Sequence, residues 1–283
     1  MPCDKKILPP VVICAAVRNG GIRLPHSLRA IDQLRSNSAM SKVIIVTNDN
    51  ADDTQAILRS WADCRNNVIV INLDGIDRAL FGKLDRLAFA RNTYISELMR
   101  FDNVDYEIVC IMDMDGPNES ISATDVATQI NELRDWSALF ANQRVAYYDI
   151  FALRHTKWCP NDCWQEVGAT SWFPFGSIQR QRAIRRLVYS RQYLISPSTP
   201  MLEVDSAFGG FGIYRKQAIR GCWYGGRDKK GREICEHVVF HQQMRANGRR
   251  LFIAPALLND APPEHLGPGS GQPFPSSNYI IAF

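Results

Sequence analysis

The chain has 283 residues, of which 46% are hydrophobic, and its formal net charge is +4. This length and composition suit one large α/β domain or two small ones with a substantial core. The mild positive charge gives no reason to expect a nucleic-acid partner, although it is compatible with an anionic substrate. No stretch approaches the length of a membrane span, and the N-terminus is too interrupted for a signal peptide. We therefore expect a soluble, cytoplasmic protein and leave peripheral membrane contact open.

The eight cysteines are scattered over apolar and loop positions. Cys14 and Cys110 fall within predicted strands, where cysteine usually acts as a small buried hydrophobe. The spacing of Cys159 and Cys163 is compatible with a disulfide or with half of a zinc site, but no second pair at metal-binding spacing follows. The pattern as a whole predicts free thiols in a reducing compartment.

Strand and helix patterns alternate through the first 120 residues. Four apolar, β-branched runs are typical of parallel strands buried on both faces, and they lie at 11–17, 42–50, 67–75 and 106–116. The segments between them have helical spacing, and the longest helix is predicted over 83–101. The alternation predicts an α/β fold with a mostly parallel central sheet and helices on both faces. In such sheets ligands bind beyond the carboxyl ends of the strands, so residues 1–120 indicate a nucleotide-binding half.

The rest of the chain has a less regular pattern. The predicted elements are a strand (144–154), a loop-rich stretch (155–200) with a basic helix (179–192), a glycine-broken turn leading into a strand and helix (206–219), a helix starting near Cys235 and ending at Gly248, and a closing strand (249–257). The tail from 262 to 283 is rich in Pro, Gly and Ser. We expect it to wrap the surface or to be mobile.

Two aspartates follow the fourth predicted strand. Asp113 and Asp115 are two residues apart, so in extended backbone both carboxylates project to one side. Like charges that close repel each other unless a cation lies between them and a ligand. Mg²⁺ or Mn²⁺ suits such oxygen ligands and usually brings phosphate with it. A solvated Asp-Gly turn is the plainer alternative, but the position at the end of a buried strand favours a metal and phosphate site.

A cation lies on the apolar face of the preceding helix. Arg91 is four residues from both Leu87 and Ile95, which belong to the core-facing stripe. A buried guanidinium needs a partner, because an unpaired buried charge is costly. A carboxylate of the sheet or a ligand diphosphate would serve, and both alternatives stay open here.

Several segments together resemble the nucleotide-sugar half of GT-A-fold glycosyltransferases with a DxD motif. They are "VVICAAVRN", "VTNDNADDT", "LAFARN", "IMDMDG" and, further on, "CEHVVFHQQMRANGRRLFIAPAL". Through "RLAFARN", "YYDIFALR" and "SAFGGFGIYR" the chain looks most like the capsule-associated mannosyltransferase-like group known from fungal capsule synthesis. The order of the motifs carries the resemblance, which spans roughly residues 10–260. It implies a GT-A-type, Rossmann-like domain with a nucleotide-sugar-binding half (1–120), an acceptor-binding half (121–261) and a tail (262–283).

The resemblance implies a set of residues for the donor. Arg18 and Asn19 follow the first strand, where the family contacts the nucleotide, and Asp49 occupies the position that usually recognises the base or ribose. Arg91 would reach the diphosphate.

It also implies the metal and the acceptor side. Asp113 would touch ribose or metal, and Asp115 would bind Mn²⁺ or Mg²⁺ directly. Glu236 and His237 stand where many relatives have Glu-Asp and use the acid as the base toward the acceptor. The histidine in second place leaves open which of the two is catalytic, and His237 or His265 is also a candidate metal ligand.

Three further residues are candidates for contact with the acceptor. Gly209 and Gly210 in "FGGFG" offer backbone that a sugar can approach closely, or they form a simple turn. Trp158 is suited to stacking on a sugar ring, or it belongs to a local core. His237 and His241 have helical spacing, and the plain interpretation of that pair is one exposed and one packed histidine. The basic helix either faces solvent or docks a phosphate-bearing or membrane-borne acceptor.

These observations predict a metal-dependent glycosyltransferase that moves a sugar from a nucleoside-diphosphate sugar to a glycan or lipid-linked acceptor. A sugar nucleotidyltransferase is one alternative, but no glycine-rich phosphate loop follows the first strand. A non-catalytic nucleotide-sugar-binding protein is the other alternative.

Overall fold

The computed structural model describes residues 7–100, 106–170 and 176–275. Its strands are β1 (Val11–Val17), β2 (Ser41–Thr47), β3 (Val68–Asn72), β4 (Ile108–Asp113), β5 (Ala138–Gln143), β6 (Tyr193–Leu194), β7 (Leu202–Val204), β8 (Phe211–Arg215), β9 (Leu251–Asn259) and β10 (Gln272–Pro273). Its α-helices are α1 (Leu24–Ser36), α2 (Thr54–Asp63), α3 (Ile76–Ala79), α4 (Lys83–Arg100), α5 (Ala123–Glu132), α6 (Cys163–Thr170), α7 (Gly176–Leu187) and α8 (Glu236–Ala246).

Eight of these strands form one sheet in the order β3-β2-β1-β4-β8-β5-β9-β7. β1 to β4 are parallel to one another. β8 lies antiparallel between β4 and β5, and β9 is parallel to β5, so β5 and β9 run in the same direction as β4. The predicted α/β class with a mostly parallel central sheet is confirmed.

Helices cover both faces of the sheet, as the continuous apolar runs predict. Alternate residues of β1 point to opposite sides. Val12 packs in a cluster that includes Tyr94 of α4 and Phe240 of α8. Ile13 packs on the other side, in a cluster that includes Ile31 of α1. The first half is therefore a buried sheet between two helical layers.

The second half departs from its sequence prediction in two places. The strand of this region is β5, which ends at Gln143, so the strand predicted over 144–154 is wrong: apart from one isolated bridge at Arg154, this stretch has no sheet partner. α6 was not predicted, because Trp, Cys and Gly mask its helical spacing. The basic helix, the last helix and the closing strand are confirmed as α7, α8 and β9. Gly248 has the positive φ, 70°, of a helix stop.

The topology collects loops from both halves at one edge of the sheet. β1, β2, β4, β5 and β9 all end at this edge, and β8, which is antiparallel to β4, begins there, since Phe211 pairs with Met112. The tail also returns toward the sheet: β10 pairs with β6, and Gln192 donates to the His265 carbonyl oxygen at 2.8 Å. No helix of the described ranges is long and apolar enough to span a membrane.

Candidate functional site

Arg91 is the buried cation of this edge. Its side chain projects from α4 and only 3% of the residue is exposed. Nη2 donates to Asp113 Oδ1 at 2.9 Å, and Nη1 donates to the Tyr94 hydroxyl at 3.2 Å. Nε lies 3.0 Å from Glu236 Oε1, although its N–H does not point at that oxygen. Of the two partners left open for Arg91, the sheet carboxylate is observed, and the diphosphate contact implied by the resemblance stays a prediction.

Aromatic rings close the space around the Arg91 guanidinium. Its carbon lies 5.2 Å from the ring centroid of Phe208 and 5.7 Å from that of Tyr224, distances at which a cation is attracted to a ring face. Burial alone would lower the pKa of Arg91, but the acidic groups beside it hold that pKa well above its usual range. Arg91 is therefore a permanent positive charge inside the protein.

Asp113 ends β4 and Asp115 lies in the bend that follows. Burial raises the pKa of Asp113 to about 7, and the nearby Asp115 and Asp149 add to the rise that Arg91 opposes. The Asp115 side chain is exposed, and its backbone carbonyl oxygen accepts a hydrogen bond from Arg23 Nη1 at 2.7 Å. The strand ends at Asp113, so the pair is not on one continuous extended segment.

Asp149 is a carboxylate of this site that the sequence interpretation missed. It follows β5 in the "YYD" turn, where Oδ1 accepts from the Ala152 amide at 3.1 Å and Oδ2 from the Gly209 amide at 3.0 Å. Burial raises its pKa, and the charge of Glu236 raises it further. A strand was predicted over this stretch, so nothing in the pattern marked Asp149 as a loop residue at the sheet edge.

We call Asp113, Asp115, Asp149 and Glu236 the acidic cluster. Arg91 is the one cation that the described contacts place against these four carboxylates, so the cluster has an excess of negative charge. The described residues contain no group of three or more His, Cys, Asp or Glu side chains that could hold a metal ion. Mg²⁺-type sites, however, are often completed by substrate phosphates around one or two carboxylates. Asp113 and Asp115 fit that kind of site better than a preformed metal cage.

Glu236, the cluster's contribution from α8, is the first residue of that helix, and His237 is the second. Glu236 is 3% exposed, and one of its oxygens faces Arg91. His237 is also buried, stacked on Phe208 with ring centroids 3.7 Å apart, and neither of its ring nitrogens has a hydrogen-bond partner among the described residues. Burial and the charge of Arg91 lower the pKa of His237 well below its usual range, so its imidazole is neutral.

His241 is the second histidine of α8. It is fully buried between the Ser206 hydroxyl at 2.9 Å from Nδ1 and the Tyr214 hydroxyl at 3.0 Å from Nε2. The interpretation of one exposed and one packed histidine is therefore wrong, because both are buried.

Gly209 and Gly210 form a buried turn with φ of 64° and 79°. A Cβ on Gly209 would lie 2.6 Å from the Ala141 carbonyl oxygen, and one on Gly210 would lie 3.0 Å from the Tyr148 hydroxyl. The Gly210 carbonyl oxygen accepts from the Asp113 amide at 2.8 Å. The simple-turn alternative accounts for both glycines, and their predicted role as open backbone for a sugar is not supported.

Trp158 lies in the core. It is 3% exposed, its ring packs against Tyr147, Tyr193 and Phe274, and its indole N–H donates to the Arg191 carbonyl oxygen at 2.8 Å. A ring enclosed in this way cannot stack on a sugar, so the structure contradicts the acceptor role predicted for Trp158.

Arg18, Asn19 and Asp49 lie in the loops after β1 and β2. Asp49 has a positive φ of 43°, and its carboxylate accepts from the Gly75 amide at 2.6 Å and the Asp77 amide at 3.2 Å. Arg18 Nε donates to the Asp49 carbonyl oxygen at 3.2 Å. These contacts tie the ends of three parallel strands together. No described hydrogen bond or ion pair joins them to the acidic cluster.

The C-terminal segment packs against residues that neighbour the acidic cluster. Arg23, which contacts the Asp115 backbone, also pairs with Glu264 at 3.3 Å. His265 stacks on Tyr148, with centroids 5.4 Å apart and planes 11° apart. The expectation that the tail wraps the surface is confirmed for its described part.

A separate cavity of about 740 Å³ lies away from the cluster. Val238, Gln242 and Arg245 of α8 line it, whereas Glu236 and His237 do not. Cys159 and Cys163 are both buried free thiols, as predicted.

No family model matches the sequence, and a search of curated proteins finds no match. Solved structures with a similar fold include the mannosyltransferase PcManGT from Pyrobaculum calidifontis with GDP-Man and Mn²⁺, at 15% identity and TM-score 0.48, covering 89% of this chain and 56% of that one. Another is S. aureus TarS 1–349 with UDP, at 12% identity and TM-score 0.47, covering 90% and 61%. Glucosyl-3-phosphoglycerate synthase from Mycobacterium tuberculosis, with Mn²⁺, UDP and phosphoglyceric acid, is similar at 9% identity and TM-score 0.41, covering 88% and 66%. The match therefore spans less than two thirds of the length of each of these proteins.

Proposed function

We propose that the protein is a metal-dependent glycosyltransferase that transfers a sugar from a nucleoside-diphosphate sugar to a glycan or lipid-linked acceptor. One observation carries the proposal: a fully buried arginine joins the carboxylate that ends β4 to the carboxylate that begins α8, at the edge where parallel strands end. In α/β sheets this edge is where ligands bind.

The charge of the site favours a cation and a phosphate ligand together. A diphosphate alone would be repelled by the acidic cluster, and a cation alone would have only one or two carboxylates as protein ligands. Asp113 and Asp115 would hold Mn²⁺ or Mg²⁺, which when bound would neutralise the charge that develops on the diphosphate leaving group. Both ligands are therefore expected to bind better in each other's presence.

Arg91 acts as a positioning residue in this proposal. Its hydrogen bond holds one oxygen of Asp113 and thereby fixes the direction of the other. Glu236 lies 3.0 Å from Nε of the same guanidinium and is enclosed, so its contact with Arg91 is better supported than a contact with an acceptor. The proposed base role of Glu236 would need the cleft to open toward it.

Thermal-shift measurements test the metal and nucleotide site. With Mn²⁺, GDP or UDP at a hundredfold excess over its dissociation constant should stabilise the wild type by about 2.7 kcal/mol. Asp115→Ala should lose this shift and keep the fold, because the side chain is exposed. Glu119→Ala, which removes another carboxylate of the same loop region, is the matched control and should keep the shift.

A second measurement separates an enzyme from a binding protein. The wild type with Mn²⁺ should release nucleoside diphosphate from GDP-mannose or UDP-GlcNAc, slowly with water and faster with an acceptor. A metal-dependent shift without any release would favour the non-catalytic alternative. No shift with either nucleotide would contradict the proposed function.

A further inference from the structure

Asp149 differs from the other enclosed carboxylates of the cluster in having no described ion pair, although the charge of the nearby His265 opposes the rise of its pKa. Asp113 and Glu236 share Arg91, whereas the described contacts give Asp149 no ion pair. Two backbone amides, of Ala152 and Gly209, hold its two oxygens in place. A carboxylate that is partly buried without a cation reduces the stability of a fold, so its presence calls for a role.

The turn of Gly209 and Gly210 couples Asp149 to the end of β4. The Gly209 amide donates to Asp149, and the carbonyl oxygen of the following residue, Gly210, accepts from the amide of Asp113. The Asp149 carboxylate and the Asp113 backbone therefore flank one rigid turn. A group bound at Asp113 has Asp149 as its neighbour on the side of β5.

The free hydrogen-bonding capacity of Asp149 is of one kind. A carboxylate has about four lone-pair sites, and the two backbone amides occupy one on each oxygen. What remains can only accept hydrogen bonds, so it suits a ligand with adjacent O–H donors and disfavours phosphate. A sugar has such pairs of hydroxyl groups, and the sugar of a nucleoside-diphosphate sugar lies next to the diphosphate.

We propose that Asp149 binds hydroxyl groups of the donor sugar and thereby contributes to the choice of sugar. This inference rests on the proposed function. It differs from two other roles that the same contacts allow: a cap that only stabilises the turn 149–152, and an additional metal ligand.

Binding measurements with Mn²⁺ distinguish these roles. The probes are GDP against GDP-mannose and UDP against UDP-GlcNAc, measured with the wild type and Asp149→Asn. The substitution keeps the size of the side chain but removes its charge and one acceptor. The sugar nucleotide should bind about 10–100-fold more weakly, the range for a hydrogen bond to a charged group, while the affinity for the matching nucleoside diphosphate stays unchanged. Asp205→Asn, at an exposed aspartate that lines the separate cavity, is the control and should change neither affinity.

Each other outcome overturns the inference in a recognisable way. An equal loss of affinity for nucleoside diphosphate and sugar nucleotide would make Asp149 a metal ligand. A lower melting temperature with an unchanged ratio of the two affinities would make it a turn cap. If Asp149→Asn does not fold, Asp149→Glu replaces it, because it keeps the charge but displaces the carboxylate. This variant must then weaken the binding of the sugar nucleotide more than the binding of the matching nucleoside diphosphate. A wild type that binds none of the probes would instead remove the proposed function, and this inference with it.

Discussion

The two halves of the sheet are built differently. β1 to β4 pair in parallel with one another, and β1, β2 and β4 are largely buried, whereas β3, at the edge of the sheet, is only half-buried. Around β5, β8 and β9 the directions are mixed, and long loops separate the strands. The regular half supplies fixed strand ends, while Asp149, Glu236 and the two glycines reach the site from the irregular half. The regular half therefore supplies the strand ends on which the site is built, and the connections of the irregular half supply many of its other polar groups.

Buried amide side chains hold the irregular half in register with the regular one. Asn259 at the end of β9 donates to the carbonyl oxygen of Gly209 and to Asn118 Oδ1, at 2.8 and 2.9 Å. Asn118 donates in turn to the carbonyl oxygens of Asp113 and Gly210. Together the two amides bind the carbonyl oxygens of Gly209, Gly210 and Asp113. At these loops the irregular half is thus held by side-chain hydrogen bonds, whereas the regular half is held by backbone hydrogen bonds between its strands.

The largest expected effect comes from removing the ion pair that crosses between the halves. Arg91→Met leaves Asp113 and Glu236 without their cation in a buried place. Breaking a buried pair in this way typically destabilises a protein by about 3–5 kcal/mol. Urea unfolding of the variant at pH 7 should show a loss of this size.

A surface pair provides the matched control. Arg227 pairs with Asp85 at 2.7 Å, also between the halves, but its side chain is 48% exposed. Arg227→Met should change the free energy of unfolding by less than about 1 kcal/mol. Equal effects of the two variants would mean that burial at Arg91 does not decide the coupling.

A smaller effect is expected from acid, and it concerns the irregular half. Burial lowers the pKa of His241 from 6.5 to about 3. In the unfolded chain the His241 imidazole takes up a proton near pH 6.5, whereas in the folded chain it stays neutral until the pH approaches 3. The contribution of this group to the free energy of unfolding is therefore fully present above pH 6.5 and is lost as the pH falls toward 3. Between pH 6.5 and pH 5 the loss from this group should be about 2 kcal/mol.

His241→Gln tests that assignment. Its amide keeps hydrogen-bonding capacity toward Ser206 and Tyr214 but does not titrate, so the variant should be less stable at pH 7 and lose less stability between pH 6.5 and pH 5. The free energy of unfolding at both pH values measures this. A variant with the same acid-induced loss as the wild type would place the titrating group elsewhere, with the buried His237 as the next residue to test.

The smallest effect concerns α7, a peripheral helix of the irregular half. It has four exposed arginines, no acidic residue and an exposed Ile178. If the helix contacts an anionic membrane, Arg185→Gln should weaken binding to phosphatidylserine-containing vesicles by about 1 kcal/mol, or roughly fivefold. Its melting temperature and nucleotide binding should not change.

Arg59→Gln, at an exposed arginine of α2, controls for the general loss of one positive charge. Vesicle co-sedimentation at low and high salt measures both variants. An equal decrease for Arg59→Gln and Arg185→Gln would mean that net charge, not α7, governs any attraction to the membrane.

The fold of the regular half could be predicted because its signals lie in short, local stretches of sequence. Continuous apolar runs give β1 to β4, and the stripe on α4 locates Arg91 against the sheet. The irregular half lacks that signal: β5 ("ALFANQ") ends in two amides, so its pattern resembles a loop, and the more aromatic stretch after it was predicted as the strand. Pairing with β8 and β9 defines the strand, tertiary hydrogen bonds of Asn142 and Gln143 hold its end, and neither can be inferred from local pattern.

The sequence predicts those site residues whose positions follow from the ends of predicted strands or from the faces of predicted helices. Asp113 and Arg91 follow from strand and helix positions, and their contact is now observed. The enclosure of Glu236 and the burial of Trp158 depend on how α8 and the long loops pack, which periodicity does not report. Asp149 stayed hidden because its role depends on an amide about 60 residues away, in the Gly209 turn.

The position of β8 has a consequence for how the chain reaches its native state. β8 occupies the edge of β4, yet it is made long after β4 in the sequence. Until β8 docks, β4 presents an unpaired, strongly apolar edge, which is a template for association with other chains. Such distant pairing also slows folding. A fragment that stops after β4 should therefore aggregate during expression, and a ribosome-bound nascent chain of that length is the form most in need of a chaperone.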